Sequence, residues 1–188
     1  MKVLKNIQIQ EIQLPIRKSL HESLNVVVDL PKTSINESQK DFSIQVSVTN
    51  ACHNADCVVY RVRFFNADSN EPLMSFIYSP DTHYTSEYLT TAFAKDCDYW
   101  LLDTTFNNDY LERYKFDDRK PHSCPRYSAA LCEKAHVKTY LAGHYYWKRF
   151  AKHYENVEQN IKKQTENNFS GNIIVLQDKK EVVLYSKK

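Results

Sequence analysis

Glycine is nearly absent from this chain of 188 residues, which contains only Gly143 and Gly171. Loops that wrap a phosphate group with backbone N–H groups depend on glycine, because other residues keep the backbone too far from the ligand. The sequence therefore excludes the glycine-rich loops that bind nucleoside triphosphates or dinucleotide cofactors.

Long apolar runs are missing as well. No stretch approaches the roughly 20 apolar residues of a membrane-spanning helix, and the first residues, MKVLKNIQIQEIQL, alternate apolar with polar side chains. A secretory signal needs a continuous apolar centre instead. The five cysteines are an odd number, which fits reduced thiols better than a disulfide framework. These features predict a cytoplasmic protein without a membrane partner.

Alternating apolar residues predict strands in the first eighty residues. The clearest strand is DFSIQVSVTN, in which Phe42, Ile44, Val46 and Val48 share one face. The segments CVVYRVRFF and LMSFIYS follow and are separated by the polar turn NADSNEP, while LNVVVDLP is a shorter apolar run before them. This order predicts consecutive hairpins.

The pattern after Pro80 predicts helices. In SEYLTTAFAKDCDYWLL, Ser86 is a candidate N-cap. One long helix is predicted from Tyr127 to about Phe169, because apolar and aromatic residues recur there every three or four positions. The residues of this stripe are Val137, Leu141, His144, Trp147, Ala151, Tyr154, Val157 and Ile161. The last segment, NIIVLQDKKEVVLYS, contains two β-branched runs and predicts a closing hairpin.

These elements predict an α+β fold, with a mainly antiparallel sheet that is built from the N-terminal strands and the C-terminal hairpin. The long helix near 127–169 would cover this sheet. The length predicts a single domain, 1–188, with a β-rich part at 1–80, a helical part at 84–170 and the hairpin at 172–187.

Cysteines and histidines raise the question of a zinc site. The segment HSCPRYSAALCEKAH places Cys132 and His136 four residues apart, on one face if the segment is helical, and CHNADC offers Cys52 and Cys57 as a second pair. His122 and Cys124 are an alternative second pair, although Pro125 stiffens that turn. Buried cysteine is also a common apolar filler. Ordinary packing is the favoured interpretation, so no cofactor is predicted and zinc remains the alternative.

No nucleophile has a recognisable catalytic setting, and His144 lies within the apolar stripe, where a core histidine is expected. No catalytic residue is therefore predicted. Carboxylates concentrate in KDCDYWLLDTTFNNDYLERYKFDDR and would suit a divalent ion for phosphodiester cleavage. These carboxylates are Asp96, Asp98, Asp103, Asp109 and Glu112. A metal-dependent nuclease is accordingly one alternative function.

Basic residues beside aromatic ones suggest a second alternative, a nucleic-acid-binding protein. The candidate contacts are Arg61, Arg63, Lys148, Arg149 and Lys152. The formal net charge of +2 is too small to indicate such a partner by itself.

The aromatic content favours protein recognition. The chain has 13 tyrosines, nine phenylalanines and two tryptophans, and tyrosine and tryptophan are enriched at partner-binding surfaces. We expect a surface patch formed by Tyr84, Tyr88, Tyr110 and Tyr114, which would bind a protein partner or a second copy of the chain. The main prediction is thus a non-enzymatic accessory protein, of the inhibitor or immunity type, from a microbe or virus.

Overall fold

A computed structural model describes residues 26–29, 42–51, 53, 57–66, 70–83, 92–114 and 122–184. Seven strands of this part form one sheet in which the spatial order of the strands is their order along the chain. They are β1 (Val26–Asp29), β2 (Phe42–Asn50), β3 (Val58–Asn66), β4 (Pro72–Ser79), β5 (Tyr99–Asp103), β6 (Thr139–Gly143) and β7 (Asn172–Val175). The α-helices described are α1 (Asn108–Tyr114), α2 (Pro125–Lys134) and α3 (Val157–Thr165), and short 3-10 helices span Trp147–Arg149 and Tyr154–Asn156.

The sheet is mixed. Strands β1 to β4 pair antiparallel, whereas β4, β5, β6 and β7 pair parallel with their neighbours. Parallel neighbours need crossover connections, and here α1 and α2 lie between β5 and β6, while α3 lies between β6 and β7. The predicted strands β1 to β4 are confirmed, but the prediction of a mainly antiparallel α+β sheet is wrong.

The long helix predicted near 127–169 is also wrong. Helix α2 begins at Pro125 and ends at Lys134, and all five residues of β6 are buried. A parallel strand that is covered on both faces has a continuous apolar sequence rather than an alternating one. The apolar residues of TYLAG therefore also fit the helical spacing of the residues before and after them in the sequence. Proline suits the first position of α2 because N–H groups in the first turn of a helix have no partner within the helix. Proline has no N–H group, so it loses no hydrogen bond there.

Two further elements differ from the prediction. The segment YWLL, assigned to a helix within 84–170, lies in the parallel strand β5. The predicted closing hairpin at 172–187 is wrong, since β7 pairs with β6 in parallel and residues 176–184 contain no strand. The alternating segment MKVLKNIQIQEIQL and the predicted N-cap at Ser86 lie outside the described residues. That the chain is a single domain stays a prediction.

The core lies between the sheet and helices α2 and α3. Trp100 and Tyr140 are fully buried neighbours on β5 and β6, and they belong to the same apolar cluster as Cys132 of α2 and Ile161 of α3. This packing fixes one face of the parallel strands and therefore fixes where their carboxyl ends lie. Among the described helices, none has both the length and the apolar character needed to cross a bilayer.

Candidate metal centre

Three neighbouring parallel strands each lead directly to a side chain that can bind a metal ion. Asp81 follows β4, Asp103 is the last residue of β5, and His144 follows β6. The carboxyl ends of parallel strands meet at one edge of a sheet. His122, three residues before α2, joins them there. One ligand atom from each of these four residues lies within 4.8 Å of the others, and we call this group the Asp/His cluster.

Asp103 is the buried centre of the Asp/His cluster, with a fully buried side chain. Its Oδ1 accepts the backbone N–H of Thr105 at 2.8 Å, and its Oδ2 lies 2.6 Å from Nδ1 of His122. Burial by itself would raise the pKa of Asp103, but the hydrogen bonds from the histidines lower it below the usual value. The carboxylate therefore stays charged, and the Nδ1 atom of His122 carries a proton that Asp103 accepts.

His144 is held in one tautomer by its neighbours. The Thr105 hydroxyl donates its proton to the backbone carbonyl of His144 at 2.9 Å. The Thr105 oxygen also lies 3.0 Å from Nδ1 of the His144 ring and, because its own proton is already used, it accepts a hydrogen bond from Nδ1. The charged Oδ2 of Asp103 lies 3.7 Å from that nitrogen and also favours a proton there. The neutral ring is then protonated on Nδ1, which leaves the lone pair of Nε2 available for a metal ion.

Asp81 and His144 face each other across a short gap. The Nε2 atom of His144 lies 3.4 Å from Oδ1 of Asp81. The interaction of its ring with the Asp103 carboxylate raises the pKa of His144. The backbone of His144 has φ of 51°, a left-handed conformation that is uncommon outside glycine. A strained backbone that aims a side chain at a carboxylate is typical of functional sites.

A further imidazole borders the Asp/His cluster. The rings of His53 and His122 pack edge to face with centroids 5.2 Å apart, and the rings of His122 and His144 lie 5.4 Å apart. Burial lowers the pKa of His53, and the neighbouring His122 lowers it further. A neutral imidazole is the form that binds metal ions.

The donor set fits a divalent metal ion. Imidazole nitrogen and carboxylate oxygen suit Zn²⁺ and Mn²⁺, and no thiol belongs to the Asp/His cluster. The prediction that the protein needs no cofactor is therefore wrong, although of the zinc ligands considered from the sequence only His122, from the alternative pair, belongs to the cluster. Cys132 is fully buried in α2, and His136 is exposed beyond the end of this helix. The two lack the common helical face on which the zinc prediction depended.

The other predicted zinc ligands lie apart from the Asp/His cluster or outside the described residues. Cys57 Sγ lies 3.6 Å from Nδ1 of His53, and Cys52 is outside the described residues. Cys124 is a buried residue immediately before α2, where burial raises its pKa to about 11.

The predicted nucleic-acid contacts divide into two groups. Arg61 is buried, and its guanidinium donates to the carbonyls of Phe93 and Lys95. Arg63 donates to the side chain of Gln45. The exposed residues Lys148, Arg149 and Lys152 instead follow closely after His144. Arg149 donates to the carbonyl of Thr105 at 3.2 Å, which places it beside the Asp/His cluster.

Of the predicted tyrosine patch, only part can be located. Tyr84 and Tyr88 lie outside the described residues, and Tyr114 is the last residue of α1. Tyr110 is half-buried and stacks on Phe106, with ring centroids 4.6 Å apart. The patch is therefore untested as a whole.

The sequence named several members of the Asp/His cluster but did not connect them. His122 and His144 were weighed as a zinc ligand and a core histidine, Asp103 was one of five nuclease carboxylates, and Asp81 was missed. The available signal was positional: an acidic residue or histidine ends or closely follows each apolar run, in LMSFIYSPD, YWLLD and TYLAGH. Among the other carboxylates, Asp98 pairs with Lys138 at 2.7 Å, and Asp109 and Glu112 belong to α1.

Comparison with solved structures identifies the fold. The chain resembles the metallo-β-lactamase fold protein YhfI from Bacillus subtilis, with a TM-score of 0.52 and 16% identity over 71% of this chain and 47% of that chain. It also aligns with a long form RNase Z from yeast, with a TM-score of 0.45 and 19% identity over 53% of this chain and 13% of that chain. No family model and no curated protein matches the sequence. The chain thus spans less than half the length of either structure.

These findings overturn the main functional prediction. A metallo-β-lactamase fold that carries the Asp/His cluster favours the metal-dependent alternative, so the prediction of a non-enzymatic accessory protein is wrong.

Proposed function

We propose that this protein is a metal-dependent hydrolase that cleaves phosphodiester bonds of nucleic acids in the cytoplasm. The observation that carries the proposal is the Asp/His cluster at the carboxyl ends of parallel strands, where open sheets of this type bind their ligands. The buried thiols Cys97, Cys124 and Cys132 are free, which agrees with a reducing compartment.

The cluster contains two pairs with different chemistry. His122 and Asp103 are hydrogen-bonded to each other. Nε2 of His144 and Oδ1 of Asp81 instead lie 3.4 Å apart, each with a lone pair that could bind a metal ion. Asp81 and His144 would therefore hold the metal ion. When bound, a divalent ion polarises a phosphoryl oxygen and lowers the pKa of a bound water molecule.

His122 is suited to move a proton during cleavage. Its Nδ1 faces the charged Asp103 at 2.6 Å, and its side chain is partly exposed, so Nε2 can reach a substrate. With its proton on Nδ1, the ring has the lone pair of Nε2 free, and the charged Asp103 offsets the positive charge that the ring gains when it accepts a proton there. His122 would then take a proton from the attacking water molecule and give it to the leaving oxygen.

Exposed cations beside the site support a phosphodiester as substrate. The guanidinium of Arg149 lies over the Phe106 ring, 4.6 Å from its centroid, and is bonded to Thr105. A guanidinium that is held in this way can bind phosphate oxygens with little loss of side-chain entropy. Lys148 and Lys152 add positive charge along the same segment.

Metal binding and hydrolysis test the proposal together. We expect protein that is loaded with Mn²⁺ or Zn²⁺ to hydrolyse bis(p-nitrophenyl) phosphate and to lose this activity in EDTA. His144→Asn should lower the metal affinity by at least roughly 100-fold, because it removes a ligand imidazole. Isothermal titration calorimetry measures the affinity.

His136→Asn is the matched control. His136 and His144 both have left-handed backbones, with φ of 56° and 51°, and asparagine tolerates this conformation. His136 is exposed beyond α2, outside the Asp/His cluster. Equal metal binding by the two variants, or hydrolysis that is insensitive to EDTA, would contradict the proposal.

Thr105 provides a second test, because its hydroxyl sets the tautomer of His144. Thr105→Val keeps the shape of the side chain but removes the acceptor 3.0 Å from Nδ1. We expect a loss of metal affinity of about 10- to 100-fold, as for other groups that orient a ligand. Thr105→Ser restores the hydroxyl and should restore the affinity. Equal affinities for the valine and serine variants would show that Thr105 does not orient the ligand.

A further inference from the structure

A pocket of about 340 Å³ opens beside the Asp/His cluster. It lies where β4, β5, β6 and β7 reach their carboxyl ends, and His144 belongs both to the cluster and to the pocket. Its volume is at the lower end of the roughly 300–1,000 Å³ of small-molecule sites. A single ring with its attached sugar suits this space better than an extended chain.

The pocket has aromatic walls and an apolar floor. Tyr78 at the end of β4, 43% exposed, and Trp147, in the turn after β6, both line it. Leu101 and Leu176 also line it, and a Cβ atom added at Gly143 would lie 3.2 Å from the first and 3.5 Å from the second. Glycine thus leaves open the space between the two leucines.

The segment after β7 forms a polar rim of the pocket and is held by a hydrogen bond. Tyr145 donates its hydroxyl proton to the carbonyl of Leu176, which fixes the segment after β7. Gln177 and Asp178 follow on this segment and line the pocket. Their side-chain oxygens are acceptors for ring N–H groups. The ammonium group of Lys148 lies 5.6 Å from the centroid of the Trp147 ring, so there is positive charge beside this wall of the pocket for a phosphate group.

We propose that this pocket binds the nucleobase next to the phosphodiester bond that is cleaved. The inference rests on the proposed function, because it needs the scissile phosphate to lie at the Asp/His cluster. Aromatic side chains bind every base through its flat face, acceptors on the rim bind its N–H groups, and His144 joins this pocket to the cluster.

Nucleotide binding without added metal tests the base pocket separately from catalysis. Adenosine 5′-monophosphate should bind about tenfold more tightly than ribose 5-phosphate, which has the same phosphate but no base. It should also quench the fluorescence of Trp147. Trp100, the other tryptophan, is fully buried and gives a constant background.

Tyr78→Ala should weaken the binding of adenosine 5′-monophosphate about tenfold, through the loss of one stacking partner, and leave ribose 5-phosphate unaffected. Tyr60→Ala is the matched control, because Tyr60 is paired with Tyr78 across β3 and β4 and is 40% exposed, yet it does not line the pocket. Equal effects of the two replacements would overturn the inference.

Two outcomes separate the base pocket from the proposed function. If bis(p-nitrophenyl) phosphate is hydrolysed while adenosine 5′-monophosphate binds no better than ribose 5-phosphate, the base pocket alone is refuted. If the nucleotide binds as expected and no metal-dependent hydrolysis occurs, the catalytic proposal fails and with it the placing of a scissile bond beside the base.

Discussion

Asp103→Asn is expected to lower the rate of bis(p-nitrophenyl) phosphate hydrolysis by at least roughly 10³-fold. The replacement keeps the shape of the side chain but removes the buried charge that lies 2.6 Å from Nδ1 of His122. His122 then loses the negative charge that offsets the positive charge of its ring during proton transfer. The metal affinity should fall by no more than about 10- to 100-fold, because Asp103 orients His144 whereas Asp81 and His144 would hold the ion. The rate at saturating Mn²⁺ and the affinity from calorimetry distinguish these two effects.

Asp98→Asn is the control for a general loss of stability. Asp98 is a buried carboxylate immediately before β5, and Asp103 is the last residue of the same strand. Asp98 accepts the backbone N–H of Ser75 at 2.8 Å and the ammonium group of Lys138 at 2.7 Å. The control variant should retain most of its activity. Similar losses of activity in both variants would mean that these two buried carboxylates support only the fold.

Trp100→Ala is expected to lower the free energy of unfolding by about 3–5 kcal/mol. Trp100 is fully buried between Ile77 of β4 and Tyr140 of β6. Its indole N–H donates to the Ser79 hydroxyl at 2.7 Å, so the replacement removes a hydrogen bond as well as the largest buried side chain. Typical domains have only about 5–15 kcal/mol of stability. Urea unfolding, followed by far-ultraviolet circular dichroism, measures the change.

Tyr146→Ala is the comparison for Trp100→Ala. Tyr146 is 51% exposed, so its removal should change stability by no more than about 0.5 kcal/mol. Equal unfolding midpoints for the two variants would contradict the position of Trp100 at the centre of the core.

Local pattern predicted the antiparallel half of the sheet but not the parallel half. In β2 the alternation of Phe42, Ile44, Val46 and Val48 identifies a strand from its own residues. In β6 both faces are buried, so TYLAG has no alternation, and its apolar residues continue the spacing of α2. Whether such a run is a strand depends on β5 and β7, which lie far away in the sequence.

The Asp/His cluster depends even more on tertiary structure. Its members are separated by 22 residues from Asp81 to Asp103 and by 41 from Asp103 to His144. No spacing rule connects residues so far apart, and only the parallel pairing of β4, β5 and β6 brings them together. Residue types indicated that metal chemistry was available, whereas the strand order determines which residues take part in it.

The strand order also has a consequence for biosynthesis. Because the strands follow one another in sequence, each new strand can pair with the one before it as the chain leaves the ribosome at about 5–20 residues per second. Asp81 and Asp103 emerge well before β6 and His144. The parallel pairings require large loops to close first, which makes them slow. Metal capture would therefore be a late event in translation, and a nascent chain that stalled before residue 144 would have a folded hairpin sheet and an incomplete metal site.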